Sequence, residues 1–359
     1  MPPLDRLREK GMAVTIVEAG PVVVGGVDTH LDVHMAAALD GIGGLLGVEP
    51  FPATPAGYRM LLAWMGSFGA VARVGVEGTG AYGAGLSRFL RRQGGEVIEV
   101  DRSNRQARRQ HGKSDPADAI EAARAAHNGR ARGLAKSRDG NVEAIRALLV
   151  AKRSARAVRI KSVNQIRQLT FTAPDALRER MRGLGTVPLM VEAASLRPRP
   201  DAGTVMYATK VALQTLGRRA VSVDAEAARI DELLGELVAD TAPSLLDVFG
   251  VGVDTAATLL VAAGDNPQRL RSEAAWAHLC GVAPIPASSG KVIRHRLNRG
   301  GNRQANSALW RIVMVRMLHD PVTRAYVERR SKEGRSKLEI IRILKRYVAR
   351  EIYGHLPRG

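Results

Sequence analysis

Two apolar, β-branched runs that each end in a carboxylate constrain the fold of this chain more than any other feature. They span Val22–Asp28 and Val71–Glu77. Unbroken runs of this kind are typical of strands that are buried inside a sheet. Around them the pattern predicts three more strands and two helices, over Val33–Leu39, Leu45–Glu49, Glu96–Asp101, 54–65 and 82–93.

The order of these elements is that of a ribonuclease-H-like α/β domain, with three hairpin-connected strands and then alternating helices and strands. In such a fold Asp28 and Glu77 end beside each other, and a helix packed on the sheet adds Asp115 and Asp118. Four carboxylates in one place repel one another unless cations neutralise them. We therefore expect a pair of Mg²⁺ ions, which would clamp the attacking and leaving oxygens of a phosphodiester.

A second interpretation of Asp115 and Asp118 requires no metal. Residues 115–118 also fit a helix N-terminus, with Asp at the N-cap, Pro at N1 and an acid at N3. Just upstream lies a run of six cationic or potentially cationic side chains: Arg102, Arg105, Arg108, Arg109, His111 and Lys113. Paired acids beside such a run suggest a site that holds a divalent metal and a nucleic-acid backbone together.

The overall charge agrees with a nucleic-acid partner. Lys and Arg number 54 against 35 Asp and Glu, for a net charge of +19, which is the electrostatic footprint of a nucleic-acid binder. Cys280 is the single cysteine, so no internal disulfide or cysteine-based metal site can form, and a reducing compartment is favoured. No apolar run approaches the roughly 18 residues of a membrane helix. Since the chain also opens without a signal-peptide pattern, we expect a cytoplasmic protein with no membrane partner.

A long basic helix is predicted from Glu143 to about Thr170. Its cations face one nearby acid, Glu143, and include three candidates for phosphate contact: Lys152, Arg153 and Arg156. A solvated helix face is the simpler interpretation, whereas contact with phosphates accounts better for so lopsided a charge. A further helix over Met206–Ala239 is predicted to be a connector or a surface for a partner helix, and residues 171–204 show no clear pattern.

The C-terminal region is predicted to be mostly helical and very basic. Segment 246–260 resembles a helix-hairpin-helix module, in which Gly250 and Gly252 free backbone N–H groups for a phosphate, although an ordinary glycine-closed turn fits equally well. Helices are predicted over Ala305–Leu318 and Lys337–Tyr347. Between residues 291 and 350 there are 17 Lys or Arg against four Asp or Glu.

Two adjacent serines precede this basic stretch. Ser288 and Ser289 stand before Gly290 and a loop with five candidate phosphate-binding cations: Lys291, Arg294, Arg296, Arg299 and Arg303. Serines in such turns usually serve the turn alone. When ringed by arginines, one of them can instead present its hydroxyl to a phosphodiester. The pair is therefore a candidate nucleophile.

One motif points to a different class of protein. Gly78–Gly83 reads G-x-G-x-x-G between a predicted strand and a predicted helix, and Glu99 and Asp101 follow about 20 residues on, as in a dinucleotide-binding fingerprint. Three features disfavour that class. The charge of Glu77 would crowd a pyrophosphate, earlier strands precede the motif, and a nicotinamide enzyme has no need of a net charge of +19.

Six stretches of the chain share their order and character with one known family. They are Gly26–His30, Val74–Gly83, Val100–Arg105, Gly112–Ala119, Phe249–Gly252, and Gly281–Pro284 running on to Ser288–Gly290 and Arg299–Arg303. Together they resemble the IS-one-ten family of bacterial insertion-sequence transposases, relatives of the Piv-type DNA invertases. Each stretch alone is weak, but six in sequence are specific, and the resemblance extends from about residue 22 to residue 350.

This resemblance implies a RuvC-like N-terminal domain with an Asp-Glu-Asp-Asp set, which corresponds here to Asp28, Glu77, Asp115 and Asp118. It also implies a C-terminal transposase domain with a nucleophilic serine, which fits Ser288 and Ser289 equally well. A non-coding bridge RNA is expected to pair with donor and target DNA. The expected active form is a homo-oligomer, a dimer or a tetramer, in which one protomer's acids act with another's serine in the bacterial cytoplasm, at the nucleoid.

The predicted organisation is a flexible arm at 1–20, a RuvC-like domain at 21–140, a basic helix and helical connector at 141–240, and a transposase domain at 241–359. The predicted activity is DNA strand exchange through a covalent phosphoserine intermediate, assisted by magnesium at the acids. Two rival interpretations remain. One is a RuvC-type structure-selective nuclease that uses water as nucleophile, and the other is a non-catalytic nucleic-acid-binding protein whose acids are structural.

Overall fold

The computed structural model describes residues 21–100, 114–288 and 295–357. The chain divides into two compact units, and the division falls between Ala135 and Lys136. The arm predicted for 1–20 lies outside the described residues. So do eight predicted contact or catalytic residues: Arg102, Arg105, Arg108, Arg109, Lys113, Ser289, Lys291 and Arg294.

The first unit is built on a mixed, six-stranded sheet. Its elements in chain order are β1 (Val22–Thr29), β2 (Val33–Leu39), β3 (Leu45–Pro52), α1 (Pro55–Gly66), β4 (Ala70–Glu77), α2 (Ala84–Arg92), β5 (Glu96–Val100), α3 (Asp115–His127) and β6 (Gly133–Leu134). The strand order is β3-β2-β1-β4-β5-β6. β4 runs parallel to both β1 and β5, and the other pairs are antiparallel. The predicted strands and the mixed α/β class are confirmed, and the short β6 is an addition.

The two faces of this sheet are covered differently. One face carries Val27, Val74 and Val76, which pack with Leu61 of α1 and Leu86 of α2 in an apolar core. The other face is covered by α3, whose buried side chains include four alanines: Ala119, Ala122, Ala123 and Ala126. Because side chains alternate along a strand, each residue of β1 faces either the apolar core with α1 and α2 or the helix α3.

Two glycines allow α3 to lie directly on the sheet. Gly26 of β1 and Gly75 of β4 are register partners. A Cβ at Gly26 would collide with the backbone of Ala119 and Ala123, and a Cβ at Gly75 would lie 2.5 Å from the carbonyl oxygen of Ala122. Helix backbone and strand backbone thus touch without side chains between them, which explains why α3 presents alanines to the sheet.

The second unit is helical, apart from a small hairpin. Its longer helices are α4 (Asn141–Phe171), α6 (Thr186–Ser195), α7 (Thr204–Thr241), α9 (Val253–Ala263), α11 (Arg303–His319), α12 (Pro321–Lys332) and α13 (Lys337–His355). The shorter elements are α5 (Asp175–Met181), α8 (Pro243–Leu246), α10 (Glu273–Leu279), β7 (Ile285–Pro286) and β8 (His295–Arg296). α4 and α7 pack along each other. Both contribute to one core with α9, α10, α11 and α13 around the fully buried Trp276.

The charge of α4 is balanced differently from what its own sequence suggests. The sequence alone pairs this helix with one acid, Glu143. The fold adds Asp231 of α7 and Asp254 of α9, and both pair with Lys152, which is only 5% exposed. Arg156 also pairs with Asp254, at 3.1 Å. This corrects the expectation for Lys152, whose ammonium group lies in a buried ion pair that joins three helices.

The pKa of Asp254 reflects this environment. Burial raises the pKa, but the hydrogen bond and charge of Lys152, with Arg156 and Arg311 nearby, outweigh burial, and the net shift is below the ordinary value of 3.8. Because the folded pKa is depressed, the stability that the ionised carboxylate contributes is present above pH 3.8 and is lost as the pH falls through the folded value.

Lys152→Ala is expected to lower the free energy of unfolding by about 2 kcal/mol, since Asp231 loses this partner and Asp254 keeps only the partly hydrated pair with Arg156. Lys161→Ala removes an exposed cation from the same helix and should change the free energy of unfolding by less than about 0.5 kcal/mol. Urea denaturation at several pH values measures both. The difference in the free energy of unfolding between wild type and Lys152→Ala should decrease below pH 3.8. A difference that stays constant there contradicts the ion pair between Lys152 and the ionised Asp254.

Gly26→Ala should destabilise the first unit by about 2 kcal/mol, because the added methyl group forces α3 away from the sheet. Gly133→Ala is the matched control, since a Cβ there meets no atom within 4 Å. Denaturation monitored by circular dichroism compares the two variants with wild type. Equal stability of the two variants would show that α3 tolerates displacement.

Candidate active site

Asp28 is held at the carboxyl end of β1, on the sheet face that carries α3. It is 7% exposed. Alternation places Gly26 and Asp28 on the same face, so the residue beneath α3 and the acid beside its N-terminus are one pleat apart. His30 follows two residues later, and its Nε2 lies 3.1 Å from Oδ2 of Asp28.

The first turn of α3 brings two further acids to Asp28. Asp115 lies 3.5 Å from Nε2 of His30, and Asp118 is 6% exposed and close enough to Asp28 to affect its ionisation. One ligand atom each from Asp28, His30 and Asp115 lie within 4.8 Å of one another. Acids in the first helical turn are also favoured by the helix dipole.

The predicted N-cap is wrong in one detail. Ser114 occupies the N-cap of α3, and Asp115 is the first helical residue. Within the described residues the Ser114 side chain makes no capping hydrogen bond, and Asp115 does not occupy the N-cap. The capping interpretation loses its main support, and the carboxylate of Asp115 is directed to His30 instead.

Glu77 reaches the same end of the sheet through the register of β4. Val27 pairs with Val76, so the next residues, Asp28 and Glu77, stand side by side on parallel strands. Gly75 lies beneath α3, and alternation gives Glu77 the same face. The Thr29 hydroxyl donates to the backbone carbonyl of Glu77 at 2.8 Å, which ties the two strand ends together.

The electrostatics of this cluster favour a bound cation. Burial raises the pKa of Asp28, His30 opposes the rise, and the charges of Asp118 and Asp115 add to it. A carboxylate that is costly to ionise beside other acids gains stability when a divalent ion neutralises it. Carboxylate oxygens suit hard ions such as Mg²⁺, and a histidine nitrogen broadens the set toward transition metals. The residues present therefore fit a divalent metal.

His30 is a site residue that the sequence reasoning did not single out. The signal for it was its spacing, because it is the first residue after β1 and lies two positions after Asp28. Its contacts with Asp28 and Asp115 make it either a ligand or the group that orients both acids.

The glycine-rich turn after β4 is occupied by internal contacts. The Thr79 hydroxyl donates to Glu99 at 2.9 Å, so the acid that a ribose would require is bonded within the protein. Gly78 has a left-handed φ of +74°. The strand before the turn is also fourth in the chain, whereas a dinucleotide fingerprint follows the first strand of its sheet.

The second unit carries the serine loop on the β7–β8 hairpin. Ile285 pairs with Arg296 and Pro286 with His295, and the exposed Ser288 follows β7. Three predicted cations around it are described and exposed: Arg296, Arg299 and Arg303. Asn302 caps α11, where its side chain accepts from the backbone of Gln304 and Ala305 at 3.0 Å.

The predicted helix-hairpin-helix glycines lie at the start of α9. Gly250 has φ +84° and Gly252 is the N-cap residue. The Gly252 N–H donates to the Thr255 hydroxyl at 2.9 Å, so this geometry has the features of a glycine-closed helix turn. Arg153 of α4 lies nearby and is within 3.4 Å of the Thr258 hydroxyl. A phosphate-binding role for these residues stays a prediction.

Comparison with known proteins finds two matching family models. The DEDD transposase domain of IS110 elements matches residues 25–172, and the model for transposases of the IS116/IS110/IS902 family matches residues 242–328. The first match contains Asp28, Glu77, Asp115 and Asp118, and the second contains the serine hairpin.

Two curated relatives give the same picture. The chain is 35% identical over 118 residues to the IS110 insertion-element protein of 43.6 kDa from Streptomyces coelicolor, which covers 33% of this chain and 29% of that protein. It is 26% identical over 193 residues to the IS900 insertion-element protein of 42 kDa from Mycobacterium paratuberculosis, covering 49% of this chain and 48% of that protein. The chain thus spans less than half the length of each relative that it matches.

Residues 25–172 and 242–328 therefore contain transposase domains of the IS110/IS116/IS902 family. This confirms the family that the sequence motifs suggested. Within the described ranges, no helix is both long and apolar enough to cross a membrane.

We expect Mg²⁺ to raise the unfolding temperature of the wild type and Asp28→Asn to abolish this effect, because a neutral amide would replace a buried carboxylate at the predicted metal site. Without metal, the variant should be at least as stable as wild type, since the repulsion from Asp115 and Asp118 is relieved. Glu49→Gln, a neutralisation at an exposed position of β3, should leave the Mg²⁺ effect unchanged. Thermal unfolding with and without Mg²⁺ measures all three, and an equal Mg²⁺ effect on Asp28→Asn and wild type would exclude Asp28 as a ligand.

Proposed function

We propose that this chain is a DNA transposase that cuts and exchanges DNA strands through a covalent phosphoserine intermediate. The observation that carries the proposal is the cluster of Asp28, His30, Asp115 and Asp118 at the end of the sheet, with Glu77 set beside Asp28 by strand register. Carboxylates gathered in this way in a basic chain suit phosphodiester chemistry. The two family matches support the same activity.

The acids are proposed to hold a pair of Mg²⁺ ions. Asp28, Glu77, Asp115 and Asp118 would be the ligands, and His30 would orient Asp28 and Asp115 or bind directly. When bound, such ions neutralise charge on the scissile phosphate and on the leaving oxygen. The raised pKa of Asp28 supports this role, because burial and the charges of Asp118 and Asp115 make that carboxylate costly to ionise.

The nucleophile is proposed to be the hydroxyl of Ser288 or Ser289. Its oxygen forms a bond to phosphorus as the bond to the leaving nucleoside oxygen breaks, the serine proton is lost, and the leaving oxygen gains one. In the second step a hydroxyl of the incoming strand attacks the phosphoserine and releases the serine. Since each step exchanges one phosphodiester for another, strand joining requires no ATP. Arg296, Arg299 and Arg303 are exposed around the hairpin and would stabilise the charge of the transition state.

The proposed partners are donor DNA, target DNA and a non-coding bridge RNA that pairs with both. The net charge of +19 and the 4% aromatic content support backbone binding, with sequence read by base pairing. The proposed active form is a homo-oligomer, a dimer or tetramer, in which the acids of one protomer act with the serine of another.

Serine and aspartate variants test this mechanism. A supercoiled plasmid that carries the element with its flanking non-coding DNA is incubated with the full chain, the flanking transcript and Mg²⁺, and strand cleavage and detergent-resistant protein–DNA adducts are measured. Ser288→Ala, Ser289→Ala or the double variant should abolish the adduct, with a loss of at least about 1,000-fold in rate. Ser331→Ala on α12 is the control for an exposed serine outside the hairpin, and Asp28→Asn should abolish cleavage as well.

The rival interpretations predict different results. A RuvC-type nuclease, which the self-contained acid cluster of the first unit also suits, retains cleavage in the double serine variant and loses it in Asp28→Asn. A non-catalytic binding protein shows no cleavage at any Mg²⁺ concentration. Peptide mapping of the adduct assigns the nucleophile to Ser288 or Ser289.

A further inference from the structure

A cavity of about 560 Å³ opens at the base of the β7–β8 hairpin. Residues 281–284 line it before β7 and residues 297–299 after β8. Asn306 contributes from α11, and residues 342, 343 and 345–347 contribute from α13. All of these belong to the second unit and are described by the structure. The volume is that of a site for a molecule of nucleotide size.

The polar lining of this cavity is cationic. Arg299, Arg342, Lys345 and Arg346 line it, and no acid is among its described lining residues. Arg346 is neutralised by Glu273. For the other three cations, the ion pairs found in the described ranges include no acidic partner. Such a group of like charges gains stability from a bound anion.

Lys345 shows how incompletely this charge is balanced. Its Nζ donates to Oδ1 of Asn306 at 2.9 Å, which is a neutral partner. Burial and the neighbouring charge of Arg342 lower the pKa of Lys345. A phosphate placed between the two side chains would offset both effects, because it supplies opposite charge to each of them.

The rest of the lining is apolar, which distinguishes this cavity from a plain phosphate site. Val282, Pro284, Leu297 and Ile343 contribute aliphatic surface. Tyr347 is 49% exposed, and its ring makes a T-shaped contact with Tyr326. A duplex presents phosphates and the edges of its bases, while the faces of its bases are stacked and do not contact an apolar recess. An unstacked nucleotide presents a phosphate together with an aromatic face, and it matches both parts of the lining.

We propose that this cavity binds one unstacked nucleotide of the DNA strand that is cut, with its phosphate against Arg299, Arg342 and Lys345 and its base against Tyr347 and the aliphatic wall. The proposal rests on the proposed function for the identity of the strand. Pro284 lines the cavity and Ser288 follows four residues later, so the serine lies within about 14 Å of it along the chain. The cavity would thus hold a nucleotide near the scissile phosphate and fix the strand beside the hydroxyl.

Binding of short oligonucleotides to the full chain tests this proposal. Fluorescence anisotropy is measured in EDTA, in a Ser288→Ala background, with an oligothymidylate, an oligouridylate of equal length and a hairpin duplex DNA. Arg342→Gln is compared with Arg350→Gln, which removes an exposed arginine from the same helix outside the cavity. Tyr347→Ala is compared with Tyr347→Phe, which keeps the ring.

Arg342→Gln and Tyr347→Ala should each weaken oligothymidylate binding about tenfold, the effect expected from losing one charged contact or one stacked base. Arg350→Gln and Tyr347→Phe should weaken it by no more than about twofold. Duplex binding should respond equally to Arg342→Gln and Arg350→Gln, because the duplex senses the overall charge. A parallel loss for oligouridylate is consistent with the site, since the base and phosphate are shared.

Three results would overturn the assignment. They are equal losses for Arg342→Gln and Arg350→Gln on single strands, a Tyr347→Phe variant as weak as Tyr347→Ala, and a loss confined to oligouridylate. Because the assay contains neither metal nor a serine at position 288, its result is independent of catalysis. A failure here leaves the phosphoserine mechanism intact, whereas a failure of the cleavage experiment leaves this binding result intact.

Discussion

The contact of α3 with two glycines is the constraint on which the first unit depends. Gly26 and Gly75 are register partners on adjacent parallel strands, and the helix backbone rests on both of them. This contact fixes the height of α3 above the sheet and its position along β1. The first turn of the helix is thereby held over the ends of the two strands, where Asp28 and Glu77 stand. Packing of the smallest residues in the unit thus determines where its acids meet.

The two units differ in the charges that surround their buried ionisable side chains. In the second unit Lys152 is buried against two carboxylates, and with Arg156 beside one of them two positive charges meet two negative charges across three helices. In the first unit Asp28 is buried beside Asp115 and Asp118, and His30 is the group among the described residues that lowers its pKa. In the first arrangement the buried charge faces opposite charges, and removing one partner would leave the others uncompensated. In the second, burial and the neighbouring acids raise the pKa of Asp28, and the proposed cation would offset both effects.

The sheet of the first unit and two of its acids could be predicted from the sequence, because the local residue pattern of each strand agrees with its position in the sheet. The β-branched runs located β1 and β4, and their terminal acids located Asp28 and Glu77. The N-cap was misplaced by one residue, since Ser114 and Asp115 are both good capping residues and the sequence does not distinguish them. The partners of Lys152 could not be foreseen, because Asp231 and Asp254 come from helices about 80 and 100 positions away, and pairing over that separation depends on tertiary packing. For the same reason the cavity beside Tyr347 has no linear signature.

The pairing of glycine and acid on each strand has a consequence for how such sites are spaced. Gly26-Val27-Asp28 and Gly75-Val76-Glu77 are the same tripeptide pattern, with the valine turned to the opposite apolar core. A one-residue insertion inside either tripeptide would rotate the acid to the valine side while leaving a plausible strand. In each triplet the glycine that the helix contacts therefore also fixes the position and the face of the acid two residues later. The full pattern consists of two such triplets on neighbouring parallel strands and an alanine-rich helix that starts with acids. It can be sought in a single unaligned chain.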